Sequence, residues 1–167
     1  MSSAPLTSLD FRRALGQFAT GVTVVTVEST PGRVHGMTAN SFTSVSLEPP
    51  LISVCVAEHA RLLPLLKEKH VFGINVLKED QQILSEFFAL AHQSAADETN
   101  LNVRFFWTSQ NIPLMEDVLC QIACRVHAMH VAGDHTIVVG EVLSAAHCHG
   151  QPLLFFRGDY ARLEPGE

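Results

Sequence analysis

The sequence predicts a mainly β domain: a closed or nearly closed antiparallel β-barrel with peripheral helices. Three observations indicate this fold. Roughly six to eight segments are rich in β-branched and aromatic residues, as strands are. Most of these segments are joined by short turns, and the regular strand–helix alternation of a doubly wound sheet is absent. Three further segments have the apolar spacing of helices, and we expect them outside the barrel.

The N-terminal part of the chain predicts a helix followed by a hairpin. Phe11, Leu15 and Phe18 recur at helical spacing, a preceding Thr or Ser can cap the helix, and Gly21 is expected to end it. The β-branched residues 22–28 predict a strand. The segment "STPGR" then predicts a turn, and the return strand begins with "VHGMT".

The rest of the chain first alternates between predicted strands and helices and then, after residue 104, contains only predicted strands. Glu48-Pro49-Pro50 predicts an extended break before the strand "LISVCVA", and the helix "LLPLLKEKH" tolerates Pro64 in its first turn. A strand, "VFGINVLK", precedes the helix "EDQQILSEFFALA", in which Phe87 is a core residue and Phe88 faces either a pocket or a second buried contact. After a polar loop at residues 92–104, the predicted strands are "RFFWTS", "VLCQIACRVHAMHV", "TIVVGEVLSAA" and "PLLFFR".

Composition narrows the class of protein. Of the 167 residues, 47% are hydrophobic and 17% are charged, a balance often found in oligomer subunits that hide some surface. The net charge of −6 and the lack of a basic run argue against nucleic acid as a partner. There is no signal-peptide pattern at the start and no apolar run long enough to span a bilayer, so we expect a soluble cytoplasmic protein without a membrane partner. One domain is expected at residues 8–163, with flexible termini at 1–7 and 164–167.

Nine histidines and four cysteines raise the question of a metal site. Cys120 and Cys124 lie on a predicted strand, where a separation of four residues places their Cα atoms about 13 Å apart, too far to share one ion. His147 and His149 lie on the same side of a predicted hairpin, but the sequence offers no third ligand. We therefore predict no metal site. In a chain without an export signal, the cysteines are expected to be buried thiols: Cys55, Cys120, Cys124 and Cys148.

The stretch "HGMTANSFTSVSLEPP" (residues 35–50) is polar where a core strand is expected. Neither face of its two-residue alternation is properly apolar, although hydrophobic strands precede and follow it. Common nucleotide motifs are also missing: no G-x-G-x-x-G follows a strand, and no G-x-x-x-x-G-K-[ST] occurs. A G-x-S-x-G hydrolase motif is absent as well. These common motifs therefore do not explain why residues 35–50 are polar and small where a core strand is expected.

Two further features allow two interpretations each. His135 follows Gly133-Asp134 at a tight turn and opens a strand, so it is either a turn-lining imidazole or a residue of the barrel rim. At the rim it could hydrogen-bond a ligand or donate a proton near neutral pH. The segment "FFRGDY" (residues 155–160) is either a Gly-Asp hairpin turn or an aromatic wall beside a planar ligand, with Arg157 near an anionic group.

Taken in order, these segments resemble the short-chain flavin reductase family, the reductase partners of two-component monooxygenases. The matching pieces span residues 8–163: "FRRALGQFATGVTVVT", "GMTANSFTSVSLEPPLISV", "FGINVL", "QQILSEFFA", "AGDHTIVVGEV" and "PLLFFRGDY". The signatures T-A-N-S-F-x-S-V-S-x-x-P-P and G-D-H-x-x-x-x-G-x-V are specific when they occur together. The resemblance implies an FMN-binding split β-barrel with Greek-key-like antiparallel topology.

The resemblance also implies a set of site residues. They are Thr38, Ala39, Asn40 and Ser41 along the isoalloxazine edge and ribityl chain; Ser53, Val54 and Cys55 under the ring; His59, Ala60 and Arg61 at the phosphate or pyrophosphate; Ser85, Phe88 and Ala89 closing the site; and Phe155, Arg157, Gly158 and Tyr160 in the segment that faces the nicotinamide. His135 is the implied catalytic residue, which positions the nicotinamide or protonates reduced flavin. Relatives usually have Ser or Thr where this chain has "EHARLL", and Arg61 can supply the charge instead.

The implied activity is NAD(P)H:flavin oxidoreduction, with FMN or FAD as the flavin and NADH or NADPH as the hydride donor. The resemblance further implies a homodimer with the flavin near the subunit interface, and a separate oxygenase component that receives reduced flavin by diffusion. Two alternatives stay open. One is a non-enzymatic split-barrel protein that binds flavin or haem, and the other is a flavin-dependent reductase of a different acceptor, such as a ferric chelate or cobalamin.

Overall fold

The computed structural model describes residues 5–91, 93 and 101–164. The helices are α1 Ser8–Leu15, α2 Leu62–Lys69 and α3 Gln82–Phe88. The strands are β1 Thr20–Gly21, β2 Thr23–Thr30, β3 Arg33–Ala39, β4 Thr43–Leu47, β5 Pro50–Ala57, β6 Val71–Val76, β7 Phe105–Trp107, β8 Pro113–Met115, β9 Cys120–Ala132, β10 His135–His147, β11 Leu154–Phe156 and β12 Asp159–Ala161. Most of the predicted loop 92–104, and the outer parts of the predicted flexible termini, lie outside the described residues.

Seven strands form one antiparallel sheet in the order β3-β2-β6-β9-β10-β5-β4. Period-two alternation is clearest in β5, where Ile52, Val54 and Val56 are buried while Ser53 and Cys55 point to the other face. The buried side chains of the sheet pack with α2 into the main core. The antiparallel, mainly β fold predicted from the sequence is therefore confirmed.

The two edge strands of this sheet, β3 and β4, are consecutive in the chain and separated only by residues 40–42. Four Cα–Cα steps of about 3.8 Å cannot reach across a flat seven-stranded sheet whose strands lie about 4.8 Å apart, so the sheet has to curl. Ser41 ties the segment after β3 to β5, the neighbour of edge strand β4: its hydroxyl accepts a hydrogen bond from the N–H of Cys55 at 3.0 Å and donates to the Cys55 carbonyl at 3.3 Å. No ladder connects β3 with β4 in the described part of the chain, which leaves the barrel split at this seam.

Five shorter strands form two additional sheets, β1-β11-β12 and β7-β8. The sequence predicted six to eight strands, two of which contain β7 and β11. It did not predict β1, β8 or β12, because two- and three-residue strands have too few positions to show alternation. The two-stranded sheet is held to the main one by buried Asn75 on β6. Its amide donates to the Val24 carbonyl at 2.9 Å and accepts from the N–H of Met115 at 2.7 Å.

Two predicted turns differ in the structure. Leu47 pairs with Pro50, so Glu48 and Pro49, joined by a cis peptide bond, form a tight hairpin rather than an extended break. At the other end of the chain, Phe156 pairs with Asp159. The turn is therefore Arg157-Gly158 rather than Gly-Asp, with positive φ at both residues (54° and 88°), as a type I′ hairpin turn requires.

Helix α1 is shorter than predicted, and it is exposed. The side chain of Thr7 caps its start by accepting from the N–H of Asp10 at 3.1 Å, but the helix ends at Gly16 rather than Gly21. None of its residues is buried. The apolar stripe that predicted the helix, which includes Phe11, therefore faces away from the core of this protomer.

The cysteines are free thiols, as predicted, but they differ in burial. Cys124 is buried, and burial raises the pKa of its thiol to about 12. Cys148 is exposed, so the prediction of a buried thiol is wrong there. The reason is its position: it follows His147, the last residue of β10, which pairs with Cys120 on β9. Among the described residues, no helix has the length and apolar character needed to cross a bilayer.

Candidate functional site

Two cavities lie along β3, one toward each end of the strand. The first, which we call the cationic cavity, has a volume of about 430 Å³. The second, the apolar cavity, has a volume of about 510 Å³. His35 and Met37 on β3 line the first, and Asn40, just after β3, lines the second. Both volumes fall within the range of roughly 300–1,000 Å³ that is typical of ligand sites.

The cationic cavity is formed by β3, the end of β5 with the turn before α2, and the end of α3. Its walls are His35, Gly36, Met37, Ala57, His59, Ala60, Arg61, Leu62, Phe88, Ala89, Leu90, Ala91 and Gln93. Five predicted site residues are therefore brought together here: His59, Ala60, Arg61, Phe88 and Ala89. Burial, and secondarily the charge of Arg61, lowers the pKa of His35. Three basic residues, His35, His59 and Arg61, thus line the cavity beside an apolar wall.

Phe88 reaches the cavity because β3 has a glycine beneath it. Phe88 is almost fully buried. A Cβ placed on Gly36 would lie 2.4 Å from Cδ1 of the Phe88 ring, far inside van der Waals contact. Any larger residue at position 36 would displace the ring, so this glycine sets the shape of the cavity wall. The sequence-based alternatives for Phe88, a pocket residue or a buried contact, are both realised in one side chain.

A chain of hydroxyl groups separates the two cavities. Thr38 on β3 donates to the Ser85 carbonyl on α3 at 2.6 Å, and the Ser85 hydroxyl lies 2.8 Å from the Tyr160 hydroxyl on β12. The Tyr160 ring packs edge-to-face against Phe155, with 5.5 Å between centroids. Ser85 is fully buried. The predicted residues Thr38, Ser85, Phe155 and Tyr160 are thus in contact, but Ser85 contacts the protein rather than a ligand.

The predicted residues on β5 divide by face. Ser53 and Cys55 are partly exposed on one side of the strand, and Cys55 is hydrogen-bonded to Ser41. Val54 is fully buried in the main core, as Ala39 nearly is. The expected contact of Val54 with a flavin ring is therefore not possible for its side chain, because alternation turns it inward. Only the backbone of β5 at Val54 remains for that role.

The apolar cavity lies between α1 and the β11–β12 hairpin, and its walls are Arg12, Leu15, Gly16, Phe18, Thr20, Asn40, Phe155, Arg157 and Gly158. The predicted residues Asn40, Phe155, Arg157 and Gly158 meet here. Arg157 is fixed by two bonds, from Nε to the Gln17 side chain at 3.0 Å and from its N–H to the Gly16 carbonyl at 2.9 Å. The guanidinium also stacks on Phe156 at 4.8 Å.

His135 lies outside the walls of both cavities but close to one of them. It opens β10 and pairs with Ala57, a wall residue of the cationic cavity. The turn before it is tied to the turn after β5, because the N–H of Glu58 donates to the Asp134 carbonyl at 2.9 Å. His135 Nδ1 lies 2.7 Å from an Asp134 carboxylate oxygen, and this hydrogen bond holds the pKa of Asp134 below its usual value. Nothing in the described chain joins His135 to Tyr160, which is on a different sheet.

Several wall residues were not predicted, and three of them are informative: His35, Met37 and Thr20. His35 and Met37 share one face of β3 with Ala39, so alternation along the polar stretch would have identified them once the strand was placed. Thr20 is different. Its Oγ1 is buried and has no hydrogen-bond partner in the described chain, and it borders the apolar cavity. An unpaired buried hydroxyl is uncommon and suits a ligand, but no sequence pattern indicates one.

The chain also matches a known protein family. The model of the flavin reductase like domain aligns with residues 15–164. This covers most of the chain, including every wall residue of the cationic cavity and all those of the apolar cavity except Arg12. The chain belongs to that family. The family resemblance stated from the sequence segments is therefore confirmed.

Named relatives of the chain are reductases. An NADH-dependent flavin reductase from Rhodococcus sp is 44% identical, with 95% of this chain and 88% of the relative aligned. The FMN reductase (NADH) SmoA of Agrobacterium fabrum is also 44% identical, over 93% of this chain and 86% of its own. Among solved structures, BorF, the flavin reductase component of a bacterial two-component tryptophan halogenase, superimposes with a TM-score of 0.85 at 37% identity, covering 96% of this chain and all of that chain.

Proposed function

We propose that this protein is an NADH-dependent flavin reductase that uses FMN or FAD. The observation with the most weight is the cationic cavity, in which His59 and Arg61 lie at one end of an apolar wall that includes Phe88. A flavin phosphate has a flat apolar ring system and an anionic tail, and this cavity matches both. Family membership and the reductase names of the relatives support the same chemistry.

The residues present fit a flavin. Arg61 and His59 would hold the phosphate, and the small side chains of Ala60 and Ala89 leave room for close approach of the backbone. Bound flavin supplies the acceptor chemistry: with a hydride from NADH and a proton, it becomes reduced flavin while NADH becomes NAD⁺. The protein needs no nucleophile for this. Its residues bind and orient the two reactants and exclude water.

We assign to His135 the positioning of the nicotinamide or the supply of a proton. Because the Asp134 carboxylate accepts from Nδ1–H, the other ring nitrogen, Nε2, is left to face a ligand. The bond to Asp134 also fixes the orientation of the ring. Changing His135 to Ala should therefore lower kcat with NADH while leaving the Kd for flavin unchanged. The matched control is His149→Ala, an exposed histidine that borders neither cavity. Equal kinetics in wild type and His135→Ala would remove this role.

The protein is further proposed to be a homodimer. Leu9, Phe11, Leu15 and Phe18 expose between 51% and 78% of their surface, and α1 buries none of its residues. A helix of eight residues is marginal by itself, so an amphipathic helix of this length is expected to cover its apolar side chains with another surface. A second copy placed on α1 would also complete the apolar cavity. It would offer a route by which residues on separate sheets, such as His135 and Tyr160, serve one site.

The reduced flavin is proposed to leave by diffusion and serve a separate oxygenase component. This proposal is supported by the role given in the name of BorF, a reductase component of a two-component enzyme. The test is oxygen-dependent product formation by an oxygenase that is separated from the reductase by a dialysis membrane permeable to flavin. Product formation across the membrane is the expected result. Product formed only when the two proteins are mixed would contradict diffusion.

The test of the activity itself is an anaerobic titration. The purified protein is present in a catalytic amount, with flavin in excess. It should bleach the absorbance of FMN or FAD when NADH is added, and NADPH is tested in parallel. No bleaching with any of the four pairs would overturn the enzyme proposal. Tight flavin binding or a Soret band without NADH oxidation would instead favour a carrier. If the protein reduces a ferric chelate at a rate that does not depend on free flavin, the result would favour a reductase whose acceptor is not flavin.

A further inference from the structure

A groove adjoins the cationic cavity, along the β2–β3 hairpin and the first turn of α2. It has a volume of about 350 Å³ and shares three wall residues with the cavity: His35, Arg61 and Gln93. Its outer walls are Ser29, Arg33, Val34, Pro64 and Leu65. The two spaces therefore meet at these side chains, and we expect a ligand long enough to pass Arg61 to contact the walls of both.

The charges along the groove favour an anion. In the described part of the chain, Arg33 and Arg61 form no ion pair with a carboxylate, whereas Arg104 and Arg125 each pair with a glutamate. Glu28, the acidic residue of the same hairpin, instead accepts a hydrogen bond from the N–H of Gly32 at 2.9 Å. Two guanidinium groups that have no acidic partner among the described residues therefore border one groove, in a chain of net charge −6. Guanidinium groups suit phosphate oxygens in particular.

The rest of the groove wall has an apolar part. Val34 and Leu65 are half-buried and Pro64 is exposed, so a flat apolar group can rest on them. The Ser29 hydroxyl is not free to select such a group, because it donates to the Arg33 carbonyl at 3.1 Å. The groove thus offers charge next to the cavity and on the hairpin, with an apolar surface beside it. This is the combination that an adenosine phosphate needs.

We propose that this groove, which we call the adenylate groove, binds the adenosine 5′-phosphate half of FAD and makes FAD the preferred flavin over FMN. The inference rests on the proposed function, in which Arg61 holds the flavin phosphate. Arg61 is then the group shared by both flavins, and Arg33 is the group that only the dinucleotide reaches. Arg33 is a specificity-determining residue rather than a catalytic one.

The experiment measures equilibrium binding of FAD and FMN by quenching of flavin fluorescence, without NADH, in wild type and Arg33→Ser. Loss of one charge-assisted contact should raise the Kd for FAD about fivefold and leave the Kd for FMN within about twofold. A charge reversal, Arg33→Glu, should raise the Kd for FAD further. Both substitutions are at an exposed position on a hairpin, so folding is expected to be retained. The matched control is Arg13→Ser, an exposed arginine on α1 that borders none of these spaces.

Three results would overturn the inference. The first is an equal rise in Kd for FMN and FAD, which would place Arg33 at the shared phosphate. The second is no change with FAD in either Arg33 variant. The third is a raised KM for NADH with unchanged FAD binding, which would assign the groove to the adenylate of the nicotinamide nucleotide. FMN reduction in wild type tests the proposed function separately, because it does not require the groove.

Discussion

The two cavities along β3 differ in how far one copy of the chain completes them. The cationic cavity takes its walls from the main sheet and two helices, and its side chains are fixed by the core, as Phe88 is by Gly36. The apolar cavity takes one wall from α1, none of whose residues is buried, and contains the unpaired Thr20 hydroxyl. The difference indicates that the first cavity is a preformed recognition site, whereas the second needs a partner surface and a ligand to satisfy its groups.

The largest effect is expected from breaking the proposed partner surface of the apolar cavity. Phe11→Glu places a charge in the apolar stripe of α1, and a charge buried without a partner costs several kcal/mol, so dimer formation should weaken by about 100-fold or more. Analytical ultracentrifugation over a concentration series measures this. His149→Glu is the control for the added charge, since His149 is exposed and does not border the apolar cavity. A wild-type protein that is monomeric at micromolar concentration would contradict the dimer.

A second substitution tests whether the cationic cavity recognises phosphate. Arg61→Ala should raise the KM for FMN by roughly ten- to thirtyfold, because a charge-assisted contact of about 1.5–2 kcal/mol is removed. Riboflavin, which has the same ring system but no phosphate, serves as the matched substrate, and its KM should stay unchanged. Steady-state NADH oxidation gives both values. A parallel rise for riboflavin would mean that Arg61 shapes the cavity instead of binding the phosphate.

The hydroxyl chain between the cavities should have a moderate effect on stability. Tyr160→Phe removes one partner and leaves the buried Ser85 hydroxyl unpaired, so the free energy of unfolding should fall by about 1–2 kcal/mol. Urea denaturation measures the change. The double variant Ser85→Ala/Tyr160→Phe removes both hydroxyls and should lose less than the sum of the two single losses. Additive losses would show that the two hydroxyls act independently.

The Thr20 hydroxyl should have a smaller effect of opposite sign. Thr20→Val keeps the shape of the side chain and removes a buried group without a partner, so the free energy of unfolding should rise by about 1 kcal/mol. If a ligand satisfies this hydroxyl, the same change should raise the Kd of that ligand severalfold. Thermal denaturation with and without flavin and NAD⁺ separates the two effects. A loss of stability in the ligand-free protein would show that the hydroxyl is already satisfied.

The smallest effect concerns pH and His35. Its pKa in the folded protein is lowered by burial and by Arg61, so the folded state takes up a proton less readily than the unfolded state does. The contribution to stability is therefore present above the unfolded-state pKa of about 6.5 and is lost as the pH falls toward the folded-state value. His35→Gln should reduce the fall in urea midpoint between pH 7 and pH 5. An unchanged pH dependence would show that other groups dominate.

The sequence predicted those features that local chemistry determines. Pro31-Gly32 and Gly133-Asp134 form the predicted hairpin turns, because glycine there adopts positive φ, 74° and 66° respectively. The family signatures placed Arg61 and Phe88 together in one cavity, although these residues are far apart in the chain. The turns could be predicted because each depends on residue type at a few neighbouring positions, whereas the meeting of Arg61 and Phe88 was implied by the family resemblance alone.

Other features depend on packing that no local pattern records. The spacing of Phe11, Leu15 and Phe18 predicted a helix, but it did not reveal that all three side chains are exposed on this protomer. Val54 was expected at a ligand, and strand alternation turns it into the core instead. The Thr20 hydroxyl stands out only because no hydrogen-bond partner lies within reach of it in the described part of the chain, which the sequence does not reveal. His135 stays a prediction, since its ring is fixed by Asp134 beside the cationic cavity but not in its wall.

The position of β3 and β4 at opposite edges of one sheet also bears on how the protein folds. Strands made late in the chain must be inserted between those made early: β10 pairs with β5, joining Val138 to Val54, and β6 and β9 separate β2 from β10. Such non-local pairing is slow to form, and folding times of about milliseconds to seconds are expected. The seam at Ser41 and the cationic cavity beside it are complete only once β10 has paired. Competence to bind a ligand should therefore appear in the last phase of refolding rather than with the first collapse of the chain.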